Sequence, residues 1–278
     1  ILINLVSQFG NLSKKFNTPI SLLVKKSSKA DQYLFNTNYI DKILLLDRDK
    51  NNKIRDKGFL GSLDLINEIK NHKFDKIIIF NSSLRFNLIA KFSRIPEIYQ
   101  YPLFQKKEQH IIHTPRNFVK NKLGIEVDKN PEIHLDKMLI SNSIEKFKID
   151  KNETNILLGI GGSGPTKRIP SSTFLNVISK ISKIKKCKFF LATGKNKDEQ
   201  ILLNQILNSS FRNLCVPLDN FSIKEILPII KNCNFSVCND SSFSHLSAAL
   251  GIKTITLMAD TPLIYGNYNS NMFPIIPD

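Results

Sequence analysis

The chain has 278 residues, of which 41% are apolar and 23% charged, enough to build a buried core and too hydrophobic for general disorder. Forty Lys and Arg stand against 24 Asp and Glu, a net +16, which points to an anionic partner such as nucleic acid, a membrane surface or a phosphorylated substrate. No apolar run approaches the ~18–20 residues of a membrane-spanning helix, and no short-period repeat occurs.

In chain order, residues 1–16 place Leu2, Leu5, Val6, Phe9, Leu12 and Phe16 at helical spacing, ending near Asn17-Thr18-Pro19. Ile20–Val24, Ile43–Leu46 and Lys76–Phe80 read as buried strands, and stretches near 28–36, 59–71 and 83–93 as helices. Apolar strands that run continuously, separated by helices, mark a parallel sheet covered on both faces. A further helix is predicted over 106–123; His110 and His113 lie three apart on it, without a third metal ligand, and read as a solvated face. Between 136 and 154 the sequence turns polar, and the domain linker is placed there. This divides the chain into residues 1–140 and 153–278.

A second α/β series follows. Strands are predicted at Asn155–Ile160, Lys188–Ala192, Leu214–Pro217, Phe235–Cys238 and, last, Thr254–Met258. Helices fall between them at 170–185, 196–208, 222–231 and Ser241–Leu250. Two Rossmann-like halves in tandem imply a ligand cleft at the carboxyl ends of the strands.

Only seven of the forty cations are Arg, Asn is abundant and Trp is absent, a profile that AT-rich coding produces, so the +16 reads both as mutational drift and as function. Cys187, Cys215, Cys233 and Cys238 form no CxxC pair and read as buried reduced thiols, which fits the reducing cytosol. No signal-peptide pattern is present, and the chain opens at Ile1 directly in a helical pattern, as a cut fragment would. Asp47-Arg48-Asp49 is the nearest Asp-x-Asp set and reads as a turn, so no metal site is expected.

Three segments carry chemistry. Gly159 to Pro170 contains a G-x-G-x-x-G after a strand, but Pro165 and Pro170 keep it from running straight into a helix. No acidic residue ends the next strand, as ribose binding by a dinucleotide fold requires, and no Lys follows the last Gly as in a P-loop. What remains is a glycine-rich anion loop, or a plain turn, with Lys167 and Arg168 adding charge. Lys167 reads as a solvated loop cation whose removal leaves the fold intact. Cys238 to Gly251 runs from a strand through Asn239, Asp240, Ser241 and Ser242 into a small-residue helix with His245 one turn in. Asp240 and the serines are expected to cap that helix, whose free amides favour an anion; the alternative is an ordinary cap with a satisfied histidine. Ala192 to Glu199 is a strand-to-helix turn in which Glu199 could accept ribose hydroxyls or simply complement the helix dipole.

In this order and spacing, the segments Gly161–Pro170, Gly194…Glu199 and Asp240–Gly251 resemble the carboxyl-terminal domain of glycosyltransferase family nine, the ADP-heptose:lipopolysaccharide heptosyltransferases. The resemblance covers about 120 residues strongly and extends over 1–135 by α/β order alone. It implies a GT-B fold, two Rossmann-like domains facing across a cleft. It further implies an inverting, metal-independent enzyme that moves a heptose-like sugar from a nucleotide-diphosphate donor, expected to be ADP-heptose, onto a lipopolysaccharide core. By position, Lys167 would meet the donor phosphates, Glu199 the ribose, and Asp240, Ser241, Ser242 and His245 the diphosphate and sugar, with Ser163 also counted among the donor-binding residues. Ile169 stands where the family has Trp, and Ser242 where it has Gly. The family's first strand, with the Gly-Asp loop that supplies its proposed base, would precede Ile1, and its closing segment would follow this chain. No cofactor is implied. The expected setting is the cytoplasm, with peripheral contact to the inner membrane. The alternative is a non-catalytic nucleotide or polyanion binder of the same fold; no nucleic-acid-binding signature accompanies the charge.

Overall fold

A computed structural model describes residues 2–47, 58–103, 111–127 and 129–276. The chain divides into two compact units, Ile1–Ala30 with Asn38–Asp128, and Asp31–Thr37 with Lys129–Asp278.

In unit 1, a 3₁₀ turn leads into helix α1 (Val6–Phe16), which ends on Asn17 in the left-handed conformation. Strand β1 (Ile20–Lys25) pairs in parallel with β2 (Ile40–Leu46); the short helix α2 (Ala30–Tyr33) follows β1 in the chain and from Asp31 on belongs to unit 2. Helix α3 (Gly58–His72), β3 (Lys76–Ile79), α4 (Leu84–Phe92), β4 (Glu97–Gln100) and α5 (His113–Leu123) follow, and β3 pairs in parallel with β4. Strand β4 is not anticipated, because Glu-Ile-Tyr-Gln behind Pro96 carries only two apolar side chains; pairing with β3 makes it a strand. Leu65, Ile66 and Ile69 of α3 pack with Ile79, Ile89, Ala90 and Ile95. A second cluster joins Leu12, Tyr101, Phe118 and Val119. His110, Arg48 and Asp49 lie outside the described residues.

Unit 2 contains α6 (Lys137–Phe147), β5 (Thr154–Gly159), α7 (Ser171–Ser182), β6 (Cys187–Ala192), α8 (Lys197–Leu207) and β7 (Cys215–Pro217). After these come α9 (Ile223–Lys231), β8 (Phe235–Asn239), α10 (Ser242–Ala249), β9 (Thr254–Leu257) and β10 (Met272–Ile275). All six strands form one parallel sheet in the order β10-β9-β8-β5-β6-β7. Ile156, Leu157 and Leu158 of β5 and Phe189, Phe190 and Leu191 of β6 are wholly buried, so both faces are covered, as continuous apolar strands require. The four cysteines are free thiols and all buried; burial pushes the Cys215 thiol up to about 11 and Cys238 to about 12.

Two expectations change. The polar stretch expected as a linker holds α6, capped by Asp136, whose side chain accepts from the Met138 amide at 2.7 Å. The helix packs on α9: Asn232 donates to the Ile140 carbonyl and the Ser143 hydroxyl, and Phe147 meets Phe221 edge to face. Thr254–Met258 is also not the last strand, since β10 pairs with β9 beyond it. Its Phe-Pro-Ile run lies at the sheet edge, where a proline costs no ladder bond.

Candidate functional site

From β5 the chain runs outward through β6 and β7, then returns to lay β8 on the other side of β5. The carboxyl ends of β5 and β8 therefore flank a topological switch point, the place where an open α/β sheet leaves a crevice for ligands. The strands approach closely there, because a Cβ on Gly159 would overlap Cys238 Sγ. Asn239 ties the two exit loops together, donating from Nδ2 to the Ile160 carbonyl at 2.9 Å.

The loop after β5 turns tightly over Gly162, where a Cβ would sit 2.9 Å from the Lys167 carbonyl. A 3₁₀ turn over Pro165–Lys167 and the cap residue Pro170 then lead into α7, so the G-x-G-x-x-G does not open a helix at its last glycine. This return brings Lys167 Nζ within 2.6 Å of Asp240 Oδ2. The Asp240 side chain is 3% exposed and that of Lys167 27%. Lys167 is thus not a freely solvated loop cation, as its setting in sequence suggests, but the counter-ion of a buried carboxylate. Burial opposes ionisation of Asp240, yet the Lys167 hydrogen bond and charge outweigh it and hold the carboxyl below its usual range.

Asp240 is therefore not the cap of α10. The cap residue is Ser241, which makes no side-chain cap bond; its Oγ is buried with no hydrogen-bond partner among the described residues, and Ser242 is exposed. The first amides of a helix have no acceptor within it, so this end presents unspent donors and the positive end of the helix dipole. At the other end Gly251, at φ +79°, closes α10 with bonds from Gly251 N to Ala248 O and from Ile252 N to Ser247 O.

His245 lies beneath that N-terminus, with Nε2 3.9 Å from Asp240 Oδ1. Nδ1 is 2.8 Å from the Tyr268 hydroxyl, and the two rings stack with centroids 5.5 Å apart. Burial lowers the imidazole to about 4 even against Asp240, and burial raises the Tyr268 phenol. Both groups are neutral near pH 7. With a carboxylate on the Nε2 side, the tautomer that fits carries its proton on Nε2 and accepts from Tyr268 at Nδ1. Nε2 makes no hydrogen bond among the described residues. Tyr268 escapes the sequence reading because it lies between β9 and β10, in a Gly-Asn-Tyr-Asn-Ser turn without periodicity.

Glu199 is buried at the third position of α8, behind Asn196, whose side chain accepts from the Glu199 amide at 3.0 Å. Its Oε1 accepts from the Gly162 amide at 2.7 Å, and its Oε2 accepts from Asn196 Nδ2. A Cβ on Gly161 or Gly194 would overlap one or other carboxylate oxygen, so both glycines make room for it. Glu199 thereby pins the β6 exit loop to the β5 exit loop, a role that sequence reasoning misses because Gly162 is 37 residues away. Arg168 is drawn to Asp198 at 2.9 Å. Ser163 is exposed on the β5 loop. The fold thus brings Lys167, Asp240 and His245 into one chain of contacts, extended to Tyr268, and holds Glu199 separately. His113 belongs to unit 1, and no cluster of three His, Cys, Asp or Glu suited to a metal occurs among the described residues.

The sequence profile of glycosyltransferase family 9 (heptosyltransferase) matches residues 63–272. Lipopolysaccharide heptosyltransferase 1 of Campylobacter coli is 23% identical over 288 aligned positions, covering 95% of this chain and 82% of that protein. Among solved structures, a family 9 glycosyl transferase from Veillonella parvula superposes with a TM-score of 0.81 at 17% identity, covering 99% of this chain and 83% of that one. The E. coli heptosyltransferase WaaC with ADP superposes with a TM-score of 0.73 at 13% identity, covering 100% and 91%. At such identities the structural likeness is one of fold, the α/β GT-B fold of these neighbours.

Proposed function

Because the chain belongs to glycosyltransferase family 9, the heptosyltransferases, we propose that it transfers a heptose-like sugar, with inversion, from a nucleotide-diphosphate sugar to a lipopolysaccharide core acceptor. Family membership favours this transferase over a non-catalytic binder of the same fold. The observation that carries the site assignment is the Lys167–Asp240 pair set beside the uncapped N-terminus of α10 at the sheet's switch point. In an inverting transfer a base takes the proton of the acceptor hydroxyl as its oxygen attacks the anomeric carbon opposite the departing diphosphate, on which negative charge grows. Lys167 and the α10 amides are the groups here that meet such charge, the work a divalent ion does on other folds. Asp240, already engaged by Lys167, acts as a positioning residue: it aims the ammonium. Neutral His245 offers its Nε2 proton to a phosphate or sugar oxygen. Ser241, Ser242 and Ser163 line the same two exit loops. Glu199 keeps those loops in register, and its remaining lone pairs can take a ribose hydroxyl. The donor nucleotide is ADP. The enzyme works in the cytoplasm, in contact with the inner face of the membrane that holds its acceptor.

Calorimetric titration with ADP tests this. We expect saturable ADP binding and no tight binding of single-stranded DNA. Lys167→Met should weaken ADP binding and donor use by roughly 2–4 kcal/mol. Lys167→Met also strands a buried carboxylate, which costs about 3–5 kcal/mol of stability. The double variant Lys167→Met/Asp240→Asn should regain most of that stability while still binding ADP poorly. Full ADP affinity in the double variant, or tight DNA binding without ADP binding, would sink the assignment.

A further inference from the structure

Two neighbouring helices of unit 1 expose large apolar side chains that the core leaves out. Phe59, Leu60 and Leu63 of α3 are 77%, 61% and 41% exposed, and Leu84, Leu88 and Phe92 of α4 are 42%, 42% and 62% exposed. The core beneath is filled by other residues of the same helices, Leu65, Ile66, Ile69, Ile89 and Ala90. Arg85 Nε donates to Ser62 Oγ at 2.9 Å and Ser93 Oγ to the Ile66 carbonyl at 3.3 Å, which fixes the flanks that the two helices turn to each other. By helical spacing Phe59 and Leu63 fall beside Ser62 and Ile66, and Leu88 and Phe92 fall beside Arg85 and Ile89. The four side chains line both sides of the α3–α4 seam, with Leu60 and Leu84 bordering it. A contiguous apolar strip of this kind marks an interaction surface.

Charge selects the partner. Unit 1 holds 22 Lys and Arg against 11 Asp and Glu, a net +11, whereas unit 2 holds 18 against 13, a net +5. Lys70 continues the Phe59–Leu63 row of α3 and Lys91 borders the leucine row of α4, both exposed, while Asp64 falls on the far flank of α3. Apolar side chains edged by lysines match the boundary between acyl chains and anionic headgroups, where lysine stems lie along the apolar layer and their heads meet phosphate. We propose that the α3–α4 face of unit 1 docks on an anionic phospholipid bilayer. It rests on the functional reading above, whose acceptor is membrane-held, and it places the contact on one face.

The test is co-sedimentation of the full 278-residue chain with vesicles of phosphatidylglycerol and phosphatidylethanolamine, against vesicles of phosphatidylcholine alone, with no donor or acceptor present. The chain should pellet with the anionic vesicles and be released by high salt. Phe59→Ser/Leu88→Ser/Phe92→Ser should lower the partition coefficient by about tenfold or more. Lys70→Glu/Lys91→Glu should lower it on anionic vesicles only, and both variants should titrate ADP as the parent does. Equal partition by the serine variant, or no binding to anionic vesicles, overturns the proposal. So does a dimer that the serine variant abolishes without any vesicle binding, which would give the face to a second copy. Vesicle binding that survives alongside a failed ADP titration upholds the docking face and strikes only the donor site.

Discussion

In unit 2, β5 lies between β6 and β8 in a six-stranded sheet, and its Ile156, Leu157 and Leu158 reach no solvent. In unit 1, β3 has one hydrogen-bonded partner among the described residues, and its Ile77 and Ile78 are only half-buried. Both units are built from parallel strands and covering helices, and among the described residues they differ in pairing: one six-stranded sheet in unit 2, two separate two-stranded pairs in unit 1. Strand β5, buried on both faces and paired on both edges, leads into loops that hold Asp240, His245 and Glu199 out of water with their partners aligned, where their interactions are strongest. In unit 1 the flanks of α3 and α4 turn Phe59, Leu63, Leu88 and Phe92 outward. The proposed donor site belongs to the first arrangement and the proposed docking face to the second.

Truncating one aromatic in each unit should show the contrast at its largest. Phe189→Ala, in the fully buried β6, should cost about 3–5 kcal/mol in urea unfolding. Phe92→Ala, 62% exposed on α4, should stay within about 0.5 kcal/mol. Similar losses at both positions would erase the distinction.

Acid stability sharpens it next. The folded imidazole of His245 titrates at about 4, below its ordinary 6.5, so the unfolded chain takes up the proton first. The stability this group contributes is complete above pH 6.5 and is lost as pH falls from there to 4, by about 3 kcal/mol. Depression of the Asp240 carboxyl adds a further loss at lower pH, as it protonates. His245→Gln should flatten the pH dependence between 6.5 and 4 in denaturation curves; an unchanged slope would mean that another group titrates there.

The smallest effects concern glycine. Gly194→Ala drives a methyl against Glu199 and should destabilise unit 2 by about 1–3 kcal/mol while loosening ADP binding. Gly10→Ala, inside α1, meets only the Tyr39 ring at 3.8 Å and should stabilise unit 1 by up to about 1 kcal/mol. Opposite signs in thermal unfolding are the expected result.

Much of unit 2 was legible from local pattern. A run such as Ile156-Leu157-Leu158 is hydrophobic on both faces of a strand, and that alone requires a covered parallel sheet. Ser222 followed by Glu225 announces the start of α9, where the capping box forms. Gly251 after a row of small residues marks the end of α10. These signals act within a few residues, so sequence carries them, and they placed the exit loops at strand ends where ligands gather. What tertiary structure alone decided is which groups meet. Lys167 and Asp240 are 73 residues apart, Glu199 and Gly162 37, His245 and Tyr268 23. Helix α6 and strands β4 and β10 are likewise settled by partners, α9, β3 and β9, rather than by their own apolar content. A hydrogen bond or ion pair between distant residues leaves no trace in local spacing: its geometry exists only after the strands between them have found their order in the sheet, and that order turned an apparently solvated lysine into the counter-ion of a buried carboxylate.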